Sequence, residues 1–167
     1  MTPIESVRHW LQTVVIELNL CPFAKRELDT GRVHFCESTA HDVDQLLIDL
    51  NTEFERMDGD SSLETTLLIH PHCLQNFSDY NQFLDQADDR LLELDLEGIY
   101  QIASFHPHYQ FANTQADDVE NHTNRSPYPM IHLIREDSLE KALAHTPHAD
   151  KIPQRNITLL RSLGKAK

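Results

Sequence analysis

The chain has 167 residues and a net charge of −13, from 27 Asp and Glu against 14 Lys and Arg. Such a field repels phosphate backbones and disfavours general nucleic-acid binding, and the absence of any apolar run of about 18 residues excludes a membrane-spanning helix. Three cysteines, an odd number, with no basic-then-apolar leader in MTPIESVRHW, indicate reduced thiols and a cytoplasmic protein.

At this length a single domain over residues 1–167 is expected. Thr2-Pro3-Ile4-Glu5 supplies an N-cap, a first-turn proline and a capping-box acid. The stripe Ile4, Val7, Leu11, Val14, Val15 and Leu18 then predicts the first helix. Cys21-Pro22 interrupts it, and FAKREL makes a short second helix before Thr30-Gly31. Val33 to Cys36 is a short strand, and Asp42 caps a helix carrying Val43, Leu46, Leu47, Leu50, Phe54 and Met57. LETTLLIH is the strongest strand. Ser78 or Asp79 opens a long helix that closes near Gly98, and IYQIASF is the third strand. Residues 106 to 128 are polar with little periodicity. MIHLI is the fourth strand, Asp137 to Glu140 has capping-box spacing, and a last helix follows Pro153. Residues 151–167 carry Lys151, Arg155, Arg161, Lys165 and Lys167 and no acid, a basic C-terminal helix and tail.

Strands joined through single helices run parallel when they share a sheet. The expected fold is therefore α/β (or α+β): a sandwich with a mixed sheet of about four strands, three of them parallel, and helices packed on it. The fourth strand follows a loop and is expected to run antiparallel.

This topology gives meaning to a repeated motif. LLIHPHC (67–73) and ASFHPHY (103–109) each place His-Pro-His after an apolar run. If their strands are parallel, both motifs lie at one sheet edge, where α/β sheets commonly bind ligands. The long loop leaves that edge and returns to it, bringing Asn124, Arg125, Ser126 and Pro127. Cys21, at the cap of the short helix with Lys25 and Arg26 nearby, points to the same edge.

Three chemistries fit these residue types. His70, His72, His106 and His108, with a thiolate, suit zinc or another transition metal. In a metal-free site a histidine serves as acid or base, Arg125 holds an anion, and Cys21 is a nucleophile in one variant. In the third reading the histidines and Arg125 are structural, as is His132 within the core of MIHLI. His145-Thr-Pro-His148, a further Pro-His pair, shows how readily such doublets arise among 11 histidines.

VIELNLCPFAK (15–25), ETTLLIHP (64–71), LEGIYQIASFHPHYQFA (96–112) and NHTNRSPYPMIHLIRE (121–136) resemble the bacterial family catalogued as domain of unknown function 1415. The resemblance spans nearly the whole chain and implies no substrate or cofactor. It implies a signature at Cys21-Pro22-Phe23, His70-Pro71, His106-Pro107, Tyr109, Phe111 and Asn124-Arg125-Ser126-Pro127. His108 departs from it, since an acidic residue is common there, and Cys73 lies outside it; weight moves to His70, His106 and Arg125. The resulting expectation is an enzyme acting on a small anionic molecule by acid–base or metal-assisted chemistry. His106, Arg125 and Cys21 would be catalytic, and Arg125, Asn124, Ser126 and Tyr109 would bind substrate. The alternative is a non-catalytic small-molecule-binding or regulatory module.

Overall fold

A computed structural model describes residues 1–18, 20–21, 24–144 and 149–163. Pro22 and Phe23 of the Cys-Pro-Phe motif, the pair at 145 and 148, and the end of the basic tail lie outside the described residues.

Helix α1 (Pro3–Trp10) begins with the expected capping box: Glu5 N–H donates to Thr2 Oγ1 at 3.1 Å, and Thr2 N–H to Glu5 Oε2 at 2.9 Å. It continues as a π-helical segment, Leu11–Ile16, in which Glu17 N–H reaches back to Gln12 O at 3.2 Å. Leu20 N–H likewise reaches Val15 O at 2.8 Å. The apolar spacing alone does not distinguish this wider turn from an ordinary helix, and such segments are frequent beside functional sites. Helix α2 is Ala24–Asp29.

Strand β1 (Val33–Glu37) leads to α3 (Val43–Gly59), capped by Asp42. Strand β2 (Thr65–Ile69) leads to α4 (Phe77–Glu93). Asn76, not Ser78 or Asp79, caps α4, accepting from Asp79 N–H at 3.1 Å. Strand β3 (Tyr100–Phe105) is followed by the long loop, which contains a 3₁₀ turn at Val119–Asn124. Strand β4 (Met130–Arg135) runs directly into α5 (Glu136–Ala144), so Asp137 stands inside that helix rather than capping it. A short 3₁₀ turn, Ala149–Lys151, precedes α6 (Ile152–Leu163).

The four strands form one mixed sheet in the order β1-β2-β4-β3. As expected, β1, β2 and β3 point one way and β4 the other. Only β1 and β2 pair in parallel, because β4 is inserted between β2 and β3 and is antiparallel to both. Composition explains the insertion: Met130, Ile131 and Leu133 are buried, which a central strand with two neighbours satisfies and an edge strand does not.

Strand alternation divides the core in two. On one face Leu68, Ile131 and Leu133 pack with Leu46, Leu50, Phe54, Tyr80 and Phe83 of α3 and α4. On the other, Leu67, Ile69 and Met130 pack with Val7, Trp10, Leu11 and Val15. The chain is thus an α/β sandwich with helices on both faces of the sheet.

Candidate functional site

The two His-Pro segments do meet at one edge. Ile69 and Phe105 both pair with Met130, so His70 and His106 stand one residue beyond the ladder, on either side of the loop's return. His70 N–H donates to Pro129 O at 3.0 Å and His106 N–H to Asn124 O at 3.1 Å.

Both histidine side chains are fully buried and engaged with main chain. His70 Nδ1 donates to Cys73 O at 2.9 Å, which leaves Nε2 buried without a partner. His106 Nε2 donates to Leu74 O at 2.9 Å, and its Nδ1 accepts from His108 N–H at 3.0 Å. Burial lowers the pKa of both, that of His70 to about 4. Both pack against Tyr80, whose hydroxyl donates to Met130 O at 2.7 Å and accepts from Phe105 N–H at 3.0 Å.

The loop residues are also held by main-chain groups. Arg125 donates from Nε to Tyr109 O at 3.0 Å and from Nη2 to Ala116 O at 2.5 Å. Asn124 Nδ2 donates to Ser104 O at 2.9 Å, and Ser126 Oγ to Tyr128 O at 2.6 Å. Tyr109 lies against the rings of Phe77 and Phe111, and its hydroxyl accepts from Ser104 Oγ at 3.2 Å. Asn121, fully buried, ties Phe111, Thr114 and Gln115 together. The long loop is therefore a knot of side-chain-to-carbonyl hydrogen bonds.

His72 stacks on His41 at 5.2 Å, away from this cluster. Among the described residues, the group of three whose donor atoms lie within 4.8 Å of one another is His34, Cys36 and Glu53; His70, His72, His106 and His108 do not form such a group.

Cys21 belongs to the opposite face, where the sheet and the helices over it line a partly open cavity of about 620 Å³. The sheet contributes Val33, Thr65, Leu67, Phe105, Met130, His132 and Ile134. The walls are Trp10, Leu11 and Val15 of the first helix, Ala24 and Glu27 of α2, and Ile152, Asn156 and Ile157 of α6, with Thr123 and Asn124 from the loop. The α6 lid is fastened by Asn156, whose Nδ2 donates to Leu20 O at 2.7 Å, and by an Arg161–Glu120 ion pair at 3.2 Å.

Few polar groups enter this apolar space. Thr65 Oγ1 donates to Leu133 O at 2.8 Å, so it accepts from His132 Nε2. That fixes the tautomer and leaves His132 Nδ1 as a hydrogen-bond acceptor. Burial lowers the His132 pKa to about 4, so the ring is neutral near pH 7. The second group is Glu27, whose Oε2 is buried without a partner. Burial, then the neighbouring Glu64, raises its pKa against the opposing Arg32 and Arg26. Glu64 and Glu120 also line the cavity, but each is paired, Glu64 with Arg32 at 3.0 Å.

Sequence reasoning placed Cys21 and Asn124 near a site but missed Thr65, Glu27 and Asn156, and read His132 as core. The available signal was polarity within an apolar stripe: His132 between Met130 and Ile134, and Asn156 between Ile152 and Leu160.

Among the described residues, no helix is long and apolar enough to cross a membrane. No curated protein and no solved structure matches the chain. The family model described as Protein of unknown function (DUF1415) matches residues 2–167, so the chain belongs to that family.

Proposed function

We propose that the protein binds a small, largely apolar molecule, neutral or cationic at its polar end, in the cavity beneath α6. The observation that carries this reading is the cavity itself, about 620 Å³ against the sheet with His132 oriented by Thr65 inside it. Small-molecule sites commonly span roughly 300–1,000 Å³ and combine apolar walls with a few placed polar groups. His132 Nδ1 offers a lone pair to a ligand hydroxyl or amine, and Glu27 offers a carboxylate oxygen. Among the described residues, no Lys or Arg lines the cavity and three glutamates do, two of them paired with arginines, so the unpaired Glu27 favours a neutral or cationic polar end over an anion.

The edge cluster supports a structural role for His106 and Arg125 rather than acid–base chemistry on an anion. Both His106 ring nitrogens and the Arg125 Nε and Nη2 are used in holding main-chain groups. The reading is therefore a binding module whose loop motifs shape one wall of the cavity.

The test is a matched series of alkyl amines, alcohols and carboxylic acids, titrated by calorimetry into the full chain and into Ala24→Leu. Amines or alcohols should bind, acids more weakly, and the larger side chain of the variant should weaken binding about tenfold or more by filling part of the cavity. Preferential binding of acids, or binding that the variant leaves unchanged, refutes this assignment.

A further inference from the structure

Strand β1 alternates its side chains between two unlike environments. Val33 lines the apolar cavity, while His34 and Cys36 turn to the opposite face, toward α3. There they meet Glu53, which is 2 % exposed and stands among Leu46, Leu50, Phe54 and Met57 as the charged member of the buried α3 positions. Burying a carboxylate on such a face costs several kcal/mol unless cations or donors compensate it. Here the compensation is the Arg56 guanidinium together with His34 and Cys36, two residues of metal-ligand type.

We propose that His34, Cys36 and Glu53 bind one zinc-class divalent cation. Their donor atoms lie within 4.8 Å of one another, and His34 Nε2 is 3.3 Å from Glu53 Oε1. Across a tetrahedral zinc with nitrogen and oxygen bonds of about 2.0–2.1 Å, two ligands stand about 3.3 Å apart, so the pair is already at ligand spacing. Imidazole, thiolate and carboxylate together match a borderline-soft cation, and thiolate plus carboxylate balance its two positive charges. Asp49, held by Ser38 Oγ at 2.5 Å, adds negative potential near the thiol.

Binding requires two changes. The Cys36 thiol, hydrogen-bonded to Glu53, gives its proton to solvent as the sulfur–metal bond forms. Arg56, whose Nε is 3.2 Å from the same Glu53 oxygen, must swing outward. Its side chain is 47 % exposed and can turn into water, and the incoming cation replaces its charge beside the buried Glu53 carboxylate. Because β1 is an edge strand, the cation reaches His34 from solvent, and water fills the remaining position. The site lies across the sheet from the cavity and is independent of what the cavity binds.

Cobalt(II) is the probe, added to the full chain without chelators and followed by absorption. One equivalent should give near-UV thiolate-to-cobalt absorption and intense visible bands of four-coordinate geometry, both displaced by zinc. Cys36→Ser should abolish the near-UV band. His34→Gln should weaken cobalt affinity by more than about 100-fold, beyond the cost of losing an outer-shell contact. No near-UV band, or a band that persists in Cys36→Ser and so belongs to Cys21 or Cys73, overturns the proposal. Should Cys36→Ser fail to fold, His34→Gln decides alone, and unchanged affinity there also overturns it.

Discussion

His132 donates from Nε2 to Thr65 Oγ1, which passes a donor of its own to Leu133 O at 2.8 Å. The pair joins the two central strands from inside the cavity and fixes which ring nitrogen is left for a ligand. Thr65→Val keeps the shape but removes the acceptor, leaving a ring N–H without its partner. An unmade buried hydrogen bond costs about 1–3 kcal/mol. Urea unfolding should show that loss for Thr65→Val and a much smaller one for Thr65→Ser. Equal stability of the two variants would mean that the pair does not hold the strands.

Acid should weaken the fold through two histidines. His70 and His132 titrate at about 4 in the folded chain, below the ordinary 6.5. Between those values the unfolded chain binds more protons, so stability is complete above about pH 6.5 and falls as pH drops toward 4. Each histidine contributes on the order of 3 kcal/mol across that window. Glu27, raised in the folded state, acts in the opposite sense and offsets part of the loss. Urea midpoints at pH 7 and pH 5 should differ clearly for the unmodified chain and less for His132→Gln. Identical differences in the two proteins would remove His132 from the account.

Tyr80→Phe tests the clamp at the end of the β3–β4 ladder. Phe105 and Met130 are register partners, and the Tyr80 hydroxyl bonds both, accepting from one N–H and donating to the other's carbonyl. Losing it leaves two buried main-chain groups short of a partner. Expected is a destabilisation of about 2 kcal/mol, with faster amide exchange at Phe105. A change below about 0.5 kcal/mol would show that the strand ends relax to satisfy themselves.

Arg125→Gln should act locally. The guanidinium holds Tyr109 O and Ala116 O, so amides between 109 and 118 should exchange about tenfold faster while global stability moves by less than about 1 kcal/mol. Sulfate or phosphate should stabilise both proteins alike. Anion stabilisation present in the unmodified chain and lost in Arg125→Gln would instead establish Arg125 as an anion ligand.

The α/β class, the helix caps at Thr2 and Asp42 and the meeting of His70 with His106 at one edge were legible in the residues. Capping and strand periodicity are local, and three strands joined through helices have few ways to lie. The insertion of β4 between β2 and β3, the π-helical turn at Leu11–Ile16 and the cavity depend on which faces pack together. Local spacing carries no record of that. His70, His106 and Arg125 read as reactive because their chemistry permits it. Tertiary structure shows where their donors go: to the carbonyls of Cys73, Leu74, Tyr109 and Ala116. Thr65 and His132 are 67 positions apart in the chain, and only the antiparallel register of β2 on β4 makes them one group. The sequence by itself determined which elements form and at which edge the loops gather; the packing of helices on either face decided where a ligand has room.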